Sequence, residues 1–275
     1  MFAGCSNGDL FVTFNALSTN PTWLKRDASD VGGMPDLPVN AIAYSPTEIH
    51  TAYVAFAGSK QGHKLWKTIT SGVYWVELTS APLDEIWSLS VNPLDPVKIY
   101  AFGPGGAAMS KDAGSSWTPD VTPDPMTVPL AQGSKLSTVS VAPGKRDVIW
   151  AGATNGDVFF TKDATTAQSW TKATHDMPTR AVTHLALDTS RTPVGVFATF
   201  DGMFNDGIWV TSNDGYGWTP WQNPALPTTN VPLPGIYAFY GISINPVNSS
   251  VLYINGTYGA GMSDNAGTSW SWNSN

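Results

Sequence analysis

The sequence predicts an all-β chain of six repeated units, a single six-bladed β-propeller, and three observations carry the prediction. One turn, spelled S/T-x-D/N-x-G-x-x-W, recurs along the 275 residues. It is clearest at Ser110, Asp112, Gly114 and Trp117, and returns at Thr211, Asn213, Gly215, Trp218 and at Ser263, Asn265, Gly267, Trp270. Thr68, Thr70, Gly72 and Trp75 keep the glycine and tryptophan without the acid, while Thr161, Asp163, Trp170 and Thr13, Asn15, Trp23 are stretched copies. The tryptophans therefore recur at intervals of roughly fifty residues, a period that accommodates one blade of four short strands. The second observation is that an alternating apolar run stands at the head of each later unit. The third is composition: only 13% of residues are charged, and 26 Gly, 21 Pro and 12 Trp suit turn-rich sheet rather than helix.

The units run approximately over 1-30, 39-80, 85-120, 135-175, 181-222 and 238-275. The third is the easiest to parse. Ile86–Asn92 alternates as an inner strand, Pro93-Leu94-Asp95-Pro96 turns, and Val97–Phe102 makes a second strand. Gly103–Gly106 turns again, Ala107–Ser110 leads into the recurring turn, and Trp117 starts an outer strand. The other inner strands are Ala41–Tyr44, Leu136–Val141, Val182–Leu187 and Tyr240–Ile244, and Pro46, Pro143 and Pro246 mark turns after three of them, since proline cannot donate to a ladder. The first unit differs. Met1–Ser6 followed by Asn7-Gly8-Asp9 matches Ala151–Thr154 followed by Asn155-Gly156-Asp157, which makes Met1–Ser6 a second strand and leaves the first blade without its innermost one. Such a blade shows an incompletely paired edge, and the expectation is a neighbouring subunit there.

The recurring turn reads as a hairpin clamp. The Asp112 carboxylate accepts nearby backbone N–H groups, Gly114 takes a positive φ, and Trp117 buries its ring beside the next strand. The side chains of the clamps are thus structural, and chemistry is expected at the opposite end of the strands. That end carries Asp36, Lys60, His63, Asp84, Glu85, His175, Asp176, Arg180, Asp201, Phe204, Asp206, Tyr237 and Tyr258, with Trp87 heading an inner strand. Trp87, Phe204, Asp176, Arg180 and Tyr258 are the candidates for ligand contact, because aromatic planes beside charged groups suit sugars and peptides. Asp84, Glu85, Asp201 and Asp206 are the candidates for a catalytic carboxyl pair, as glycoside hydrolysis requires.

Other chemistry is disfavoured. A net charge of −7 with 14 Lys+Arg and no basic run argues against nucleic acid. His50, His63, His175 and His184 show no metal spacing, and no cofactor motif is present. Cys5, the one cysteine, excludes an internal disulfide. No apolar run reaches membrane-spanning length, and Met1-Phe2-Ala3-Gly4 enters a repeat directly, without a secretory leader. Asn248 and Asn255 fit the glycosylation acceptor pattern.

The clamp, with the lead-in Asn92-Pro93-Leu94-Asp95-Pro96-Val97-Lys98-Ile99-Tyr100-Ala101, resembles the Asp-box, or BNR, repeat of sialidases, xyloglucanase-type glycoside hydrolases and sortilin-like receptors. That resemblance covers nearly the whole chain and implies a propeller. For activity it implies less. Sialidases of this kind use three arginines and a Tyr/Glu pair, whereas the arginines here are Arg26, Arg146, Arg180 and Arg191 and no Phe-Arg-Ile-Pro segment exists. Xyloglucanase-type enzymes build their cleft between two propellers, and this chain has repeats for one. The reading favoured is a non-catalytic binding or structural propeller that holds a glycan or protein partner, as a subunit of a surface or virion-type assembly. The alternative is a glycoside hydrolase using the four acids named above.

Overall fold

The computed structural model describes residues 1–15, 20–26, 34–58, 64–117, 128–142, 148–162, 170–173, 177–190, 193–202, 207–221, 238–245, 247–256 and 259–273, the last two by backbone alone. These residues form six antiparallel sheets, each a meander in chain order. The chain divides into two compact units, Met1–Val128 and Pro129–Asp163 with Gln168–Asn275.

In the first unit, β1 (Phe2–Gly4), β2 (Leu10–Val12) and β3 (Leu24–Lys25) form the first sheet. The second holds β4 (Val39–Tyr44), β5 (Ala52–Phe56), β6 (Leu65–Thr68) and β7 (Val76–Glu77); the third holds β8 (Ser88–Val91), β9 (Ile99–Gly103) and β10 (Gly106–Ser110). An outer strand expected after Trp117 falls on 118–120, outside the described residues.

The second unit has three four-stranded sheets. They are β11 (Leu136–Val141), β12 (Ile149–Ala153), β13 (Val158–Thr161), β14 (Thr171–Lys172); β15 (Val182–Asp188), β16 (Gly195–Phe200), β17 (Ile208–Thr211), β18 (Thr219–Pro220); and β19 (Phe239–Ile244), β20 (Leu252–Gly256), β21 (Gly259–Ser263), β22 (Ser271–Asn273). The strands β5, β9, β12 and β16 are buried at every residue, which explains their near-continuous apolar spelling. A strand covered on both faces has no wet side to alternate with.

Within each unit the core lies between consecutive sheets. One cluster joins Leu10 of the first sheet to Val54, Phe56, Trp66 and Trp75 of the second, and another joins Tyr53 and Leu65 to Ile99, Ala101 and Trp117. In the second unit Trp150 and Phe160 pack with Leu185, Val196 and Trp218, and Phe197 with Ile242 and Ile254.

The clamps fasten these seams. Gly72 has a φ of +86° and sits so close to the first sheet that an added Cβ would lie 2.7 Å from the Phe2 ring; Trp75 meets that ring edge-on at 5.7 Å. Gly215, at φ +79°, is pressed onto Ala173 in the same way, and Trp218 packs edge-on to Trp150 at 6.4 Å while its indole N–H donates to the Ala173 carbonyl. The sequence reading had each tryptophan packing beside its own next strand. Trp75, Trp117 and Trp218 instead bury against the preceding sheet, because the clamp crown projects sideways over the seam. Trp75, Trp117, Trp170 and Trp218 are buried, but Trp23 is 40% exposed, against the expectation of six equivalent buried rings. Trp270 is half-buried against Trp221.

Hydrogen bonding inside the clamp is shared between two side chains rather than resting on the acid. The Ser110 hydroxyl, fully buried, donates to Asp112 Oδ1 (2.9 Å) and accepts the Gly114 N–H (2.8 Å). Asp112 in turn accepts the Ser116 N–H (2.7 Å) and hydroxyl (2.5 Å), and these bonds hold its carboxyl below the ordinary range. Asn15, Asn213 and Asn265 do the same work through Oδ1, toward the N–H groups of Thr22, Gly217 and Ser269. Where the acid is missing, the Thr70 hydroxyl accepts the Tyr74 N–H at 2.8 Å. A further departure lies just before the glycine, where Ser71, Ala113, Asp214 and Ala266 also adopt positive φ. Asp163 lies outside the described residues.

Candidate functional site: the heads of the inner strands

Inner strands start with a bulge. In β4, β11, β15 and β19 the register slips at one residue after the first: Asn40, Ser137, Thr183 and Tyr240. A bulge leaves one residue unpaired and re-aims its side chain. Trp87 occupies the corresponding place before β8, its N–H bonded to the Phe102 carbonyl at 2.8 Å.

Three of these five side chains staple one inner strand to the next. Asn40 Nδ2 donates to the Ile86 carbonyl (3.0 Å), Ser137 Oγ to that of Val182 (2.6 Å), and Thr183 Oγ1 to that of Phe239 (3.0 Å). The other two are aromatic. Trp87 is half-buried and Tyr240 is 49% exposed.

Next to Trp87 lie Asp84, exposed, and Glu85, half-buried. The Lys64 ammonium donates to the carbonyl of Leu83 and so ties this link to β6. In the second unit Arg180 donates from Nη1 to the carbonyl of Asp201 (3.0 Å), and the Asp201 carboxylate accepts the N–H of Gly202 (2.7 Å). His184, on β15, is reached by solvent yet crowded by protein; desolvation lowers its pKa, and a hydrogen bond with the backbone of Ile242 works the other way.

Of the sequence candidates, Asp84, Glu85 and Trp87 stand together in the first unit, and Arg180 with Asp201 in the second. Asp176, Phe204, Asp206 and Tyr258 lie outside the described residues, as do Lys60, His63, His175 and Tyr237. Asp36 abuts Gly8, where an added Cβ would approach its Oδ1 within 2.8 Å. Among the described residues no three of His, Cys, Asp and Glu group together. Sequence reasoning missed Asn40, Ser137, Thr183 and Tyr240. Their signal was a polar or aromatic residue interrupting an apolar strand start, visible once Val39-Asn40, Ile86-Trp87, Leu136-Ser137, Val182-Thr183 and Phe239-Tyr240 are written one above another.

The second unit also holds two cavities, the second of them beside Arg180. One, of about 270 Å³, opens near the clamps between Trp150, Phe160 and Val194, with Lys162 and Asp214 at its rim. The other, of about 190 Å³, is lined by Asn155, Asp157, Lys172, Met177 and Pro178.

No protein-family model matches the chain, and no curated protein matches it in sequence. Solved structures do match in fold. A GH74 xyloglucanase from Xanthomonas campestris superposes with a TM-score of 0.68 at 14% identity, over 98% of this chain and 43% of that one. The Niastella koreensis GH74 enzyme gives 0.59 at 16% identity, over 98% and 44%. YCF48 bound to D1 peptide gives 0.53 at 17%, over 85% of this chain and 67% of that one. The chain thus spans less than half the length of the two GH74 structures. All three are β-propeller folds, and at these identities the likeness establishes architecture alone.

Proposed function

We propose that the chain is a non-catalytic binding propeller, its six sheets arranged as one ring, that receives a glycan or peptide at the heads of its inner strands. The observation that supports this is the split among equivalent positions. Asn40, Ser137 and Thr183 are spent on staples, whereas Trp87 and Tyr240 place aromatic rings at the same point with part of their surface in solvent. Aromatic planes at a rim with Asp84 and Glu85 beside one of them suit the C–H faces and hydroxyls of a sugar, or the backbone of an extended peptide. The Asp201 carboxylate is already engaged by the Gly202 amide, which suits a structural part better than a catalytic one.

A second reading, glycoside hydrolysis, draws on the GH74 matches and on Asp84, Glu85, Asp201 and Asp206 as the acids. One experiment separates the two. Xyloglucan oligosaccharides and a panel of other glycans and peptides are titrated against the protein, then incubated and assayed for new reducing ends. The binding reading expects saturable binding, weakened about tenfold by Trp87→Ala or Tyr240→Ala, a loss of about 1.4 kcal/mol, with no product. Product that disappears in Asp84→Asn or Asp201→Asn establishes the enzyme instead. Binding indifferent to both aromatic substitutions places the ligand elsewhere.

A further inference from the structure

The cavity of about 270 Å³ in the second unit lies at a seam whose counterpart in the first unit is filled by the chain itself. Register fixes the correspondence. Tyr53 of β5 faces Lys67 of β6 as Trp150 of β12 faces Phe160 of β13, and Ala113 and Asp214 are the positive-φ residues just before the clamp glycines of the next sheet, Gly114 and Gly215. In the first unit Lys67 carries its ammonium over the Tyr53 ring, 5.7 Å from the centroid, and donates to the Ala113 carbonyl at 3.4 Å. Desolvation pulls the Lys67 pKa down, while the charges of Asp112 and Glu48 work the other way. The seam is thus shaped to hold an alkylammonium group.

In the second unit that group is replaced and the space beyond it is a cavity. Phe160 stands in the place of Lys67 and stacks on Trp150, with centroids 4.8 Å apart and planes 21° from parallel, so it offers a second aromatic wall and no polar end for the crown. The crown has changed in the complementary direction. Asp214 replaces Ala113 and brings a carboxylate to the rim, where Pro193 and Val194 continue the apolar lining. Lys162 holds that carboxylate loosely: its ammonium stands 3.6 Å from Asp214 and 6.0 Å from the Phe160 centroid, and its side chain is 66% exposed. With Lys162 and Pro193 both exposed, the mouth opens to solvent.

We propose that this cavity binds an alkylammonium group, its carbon chain against the Trp150 and Phe160 rings and its ammonium on Asp214 in place of Lys162. An apolar cavity of about 150 Å³ already admits benzene, so this one has room for a six-carbon chain. Aromatic rings beside a carboxylate favour an organic cation over neutral or anionic molecules of the same size. The site lies at the clamp end of the strands and is separate from the one proposed above, so either can fail alone.

The test titrates the full chain by calorimetry with hexylammonium, with hexanol and hexanoate as neutral and anionic counterparts, and with an acetylated and amidated Gly-Lys-Gly peptide. Hexylammonium should bind saturably, about fivefold or more tighter than hexanol, and more weakly as salt is raised. Asp214→Asn should weaken it about fivefold without disturbing the turn, since asparagine tolerates positive φ, whereas Lys162→Gln should tighten it several-fold by freeing the carboxylate. An ion pair with a structural part alone would move neither affinity, and thermal melts verify that both variants fold. Tighter binding of the peptide than of hexylammonium identifies a lysine side chain of another protein as the occupant, and the reverse order a free amine; both support the site. The proposal is overturned if hexylammonium does not saturate, if hexanol or hexanoate binds as tightly, or if its affinity ignores both substitutions.

Discussion

In the fourth sheet Asn155-Gly156-Asp157 turns into β13 and Asp157 binds Lys172 at 2.8 Å; in the first, Asn7-Gly8-Asp9 turns into β2 and Asp9 binds Lys25 at the same distance. The two sheets share turn, ion pair, register and a glycine at the same point of the second strand. Their burial nevertheless diverges. Trp150 is 2% exposed and Trp170 is buried, while Phe2 is half-buried and Trp23 is 40% exposed. An inner strand accounts for part of this. Gly152 is wedged between Thr138 of β11 and Val182 of the next sheet, whereas the nearest atoms to Gly4 are those of Val39, in the next sheet. The repeated wording specifies strands and turns; sealing a sheet also takes the strand inside it.

The sharpest probe of that difference is truncation at the matched positions. Trp150→Ala should cost about 3–5 kcal/mol, as for other buried large aromatics, and Phe2→Ala only about 2 kcal/mol, because part of its surface is already wet. Urea denaturation of the two variants would measure both, and equal losses would mean that the first sheet is sealed by something else. Next in size is the clamp. Asp112→Ala should lose about 1–2 kcal/mol, while Asp112→Asn should stay close to the parent at neutral pH, since asparagine fills this place in three other clamps. The Asp112 carboxyl is depressed in the folded chain, so its contribution is present above the unfolded carboxylate pKa and is lost as pH falls through the folded one. Thermal melts across the acid range should therefore show a shallower decline for Asp112→Asn than for the parent.

A smaller effect is expected at the strand heads. Ser137→Ala removes a staple and should cost about 1 kcal/mol, but Tyr240→Ala at the equivalent bulge should fall within about 0.5 kcal/mol, because that side chain is exposed. Equal costs would argue that Tyr240 is structural. Smallest are the twin ion pairs. Asp157→Asn and Asp9→Asn should each change stability by less than about 1 kcal/mol and converge on the parent in high salt, since both lysines are about half exposed. A markedly larger loss at Asp157 would show that a complete sheet strengthens the pair.

Much of the architecture was legible because the clamp punctuates the chain and the strands before it have distinct spellings. Alternation at Leu136–Val141 announced an inner strand. Partner choice was not legible. Spacing shows that Trp218 anchors something, but not that it lies over Trp150, because one-dimensional spacing carries no information on which neighbour a side chain leans toward. The bulges were hidden for a related reason: Ser137 and Thr183 are ordinary strand residues in composition, and only the slipped register reveals their hydrogen bonds to the next strand. For the site, the sequence singled out the Asp84-Glu85-Trp87 group, but not the bond between Arg180 and Asp201, which are far apart along the chain and meet only through the pairing of β15 with β16.

The backward lean of the clamps has a consequence for how such a chain is made. As the polypeptide emerges during synthesis, the surface that Trp75 needs, around Phe2, has been translated before it, and the same holds for Trp218 and Trp150. Each new repeat can therefore lock down without waiting for the one behind it, and a duplicated repeat would arrive with half of its own joint already encoded. Growth by copying whole units is then a conservative step, and the worn spellings along the chain are what remains when many such joints have been free to drift separately.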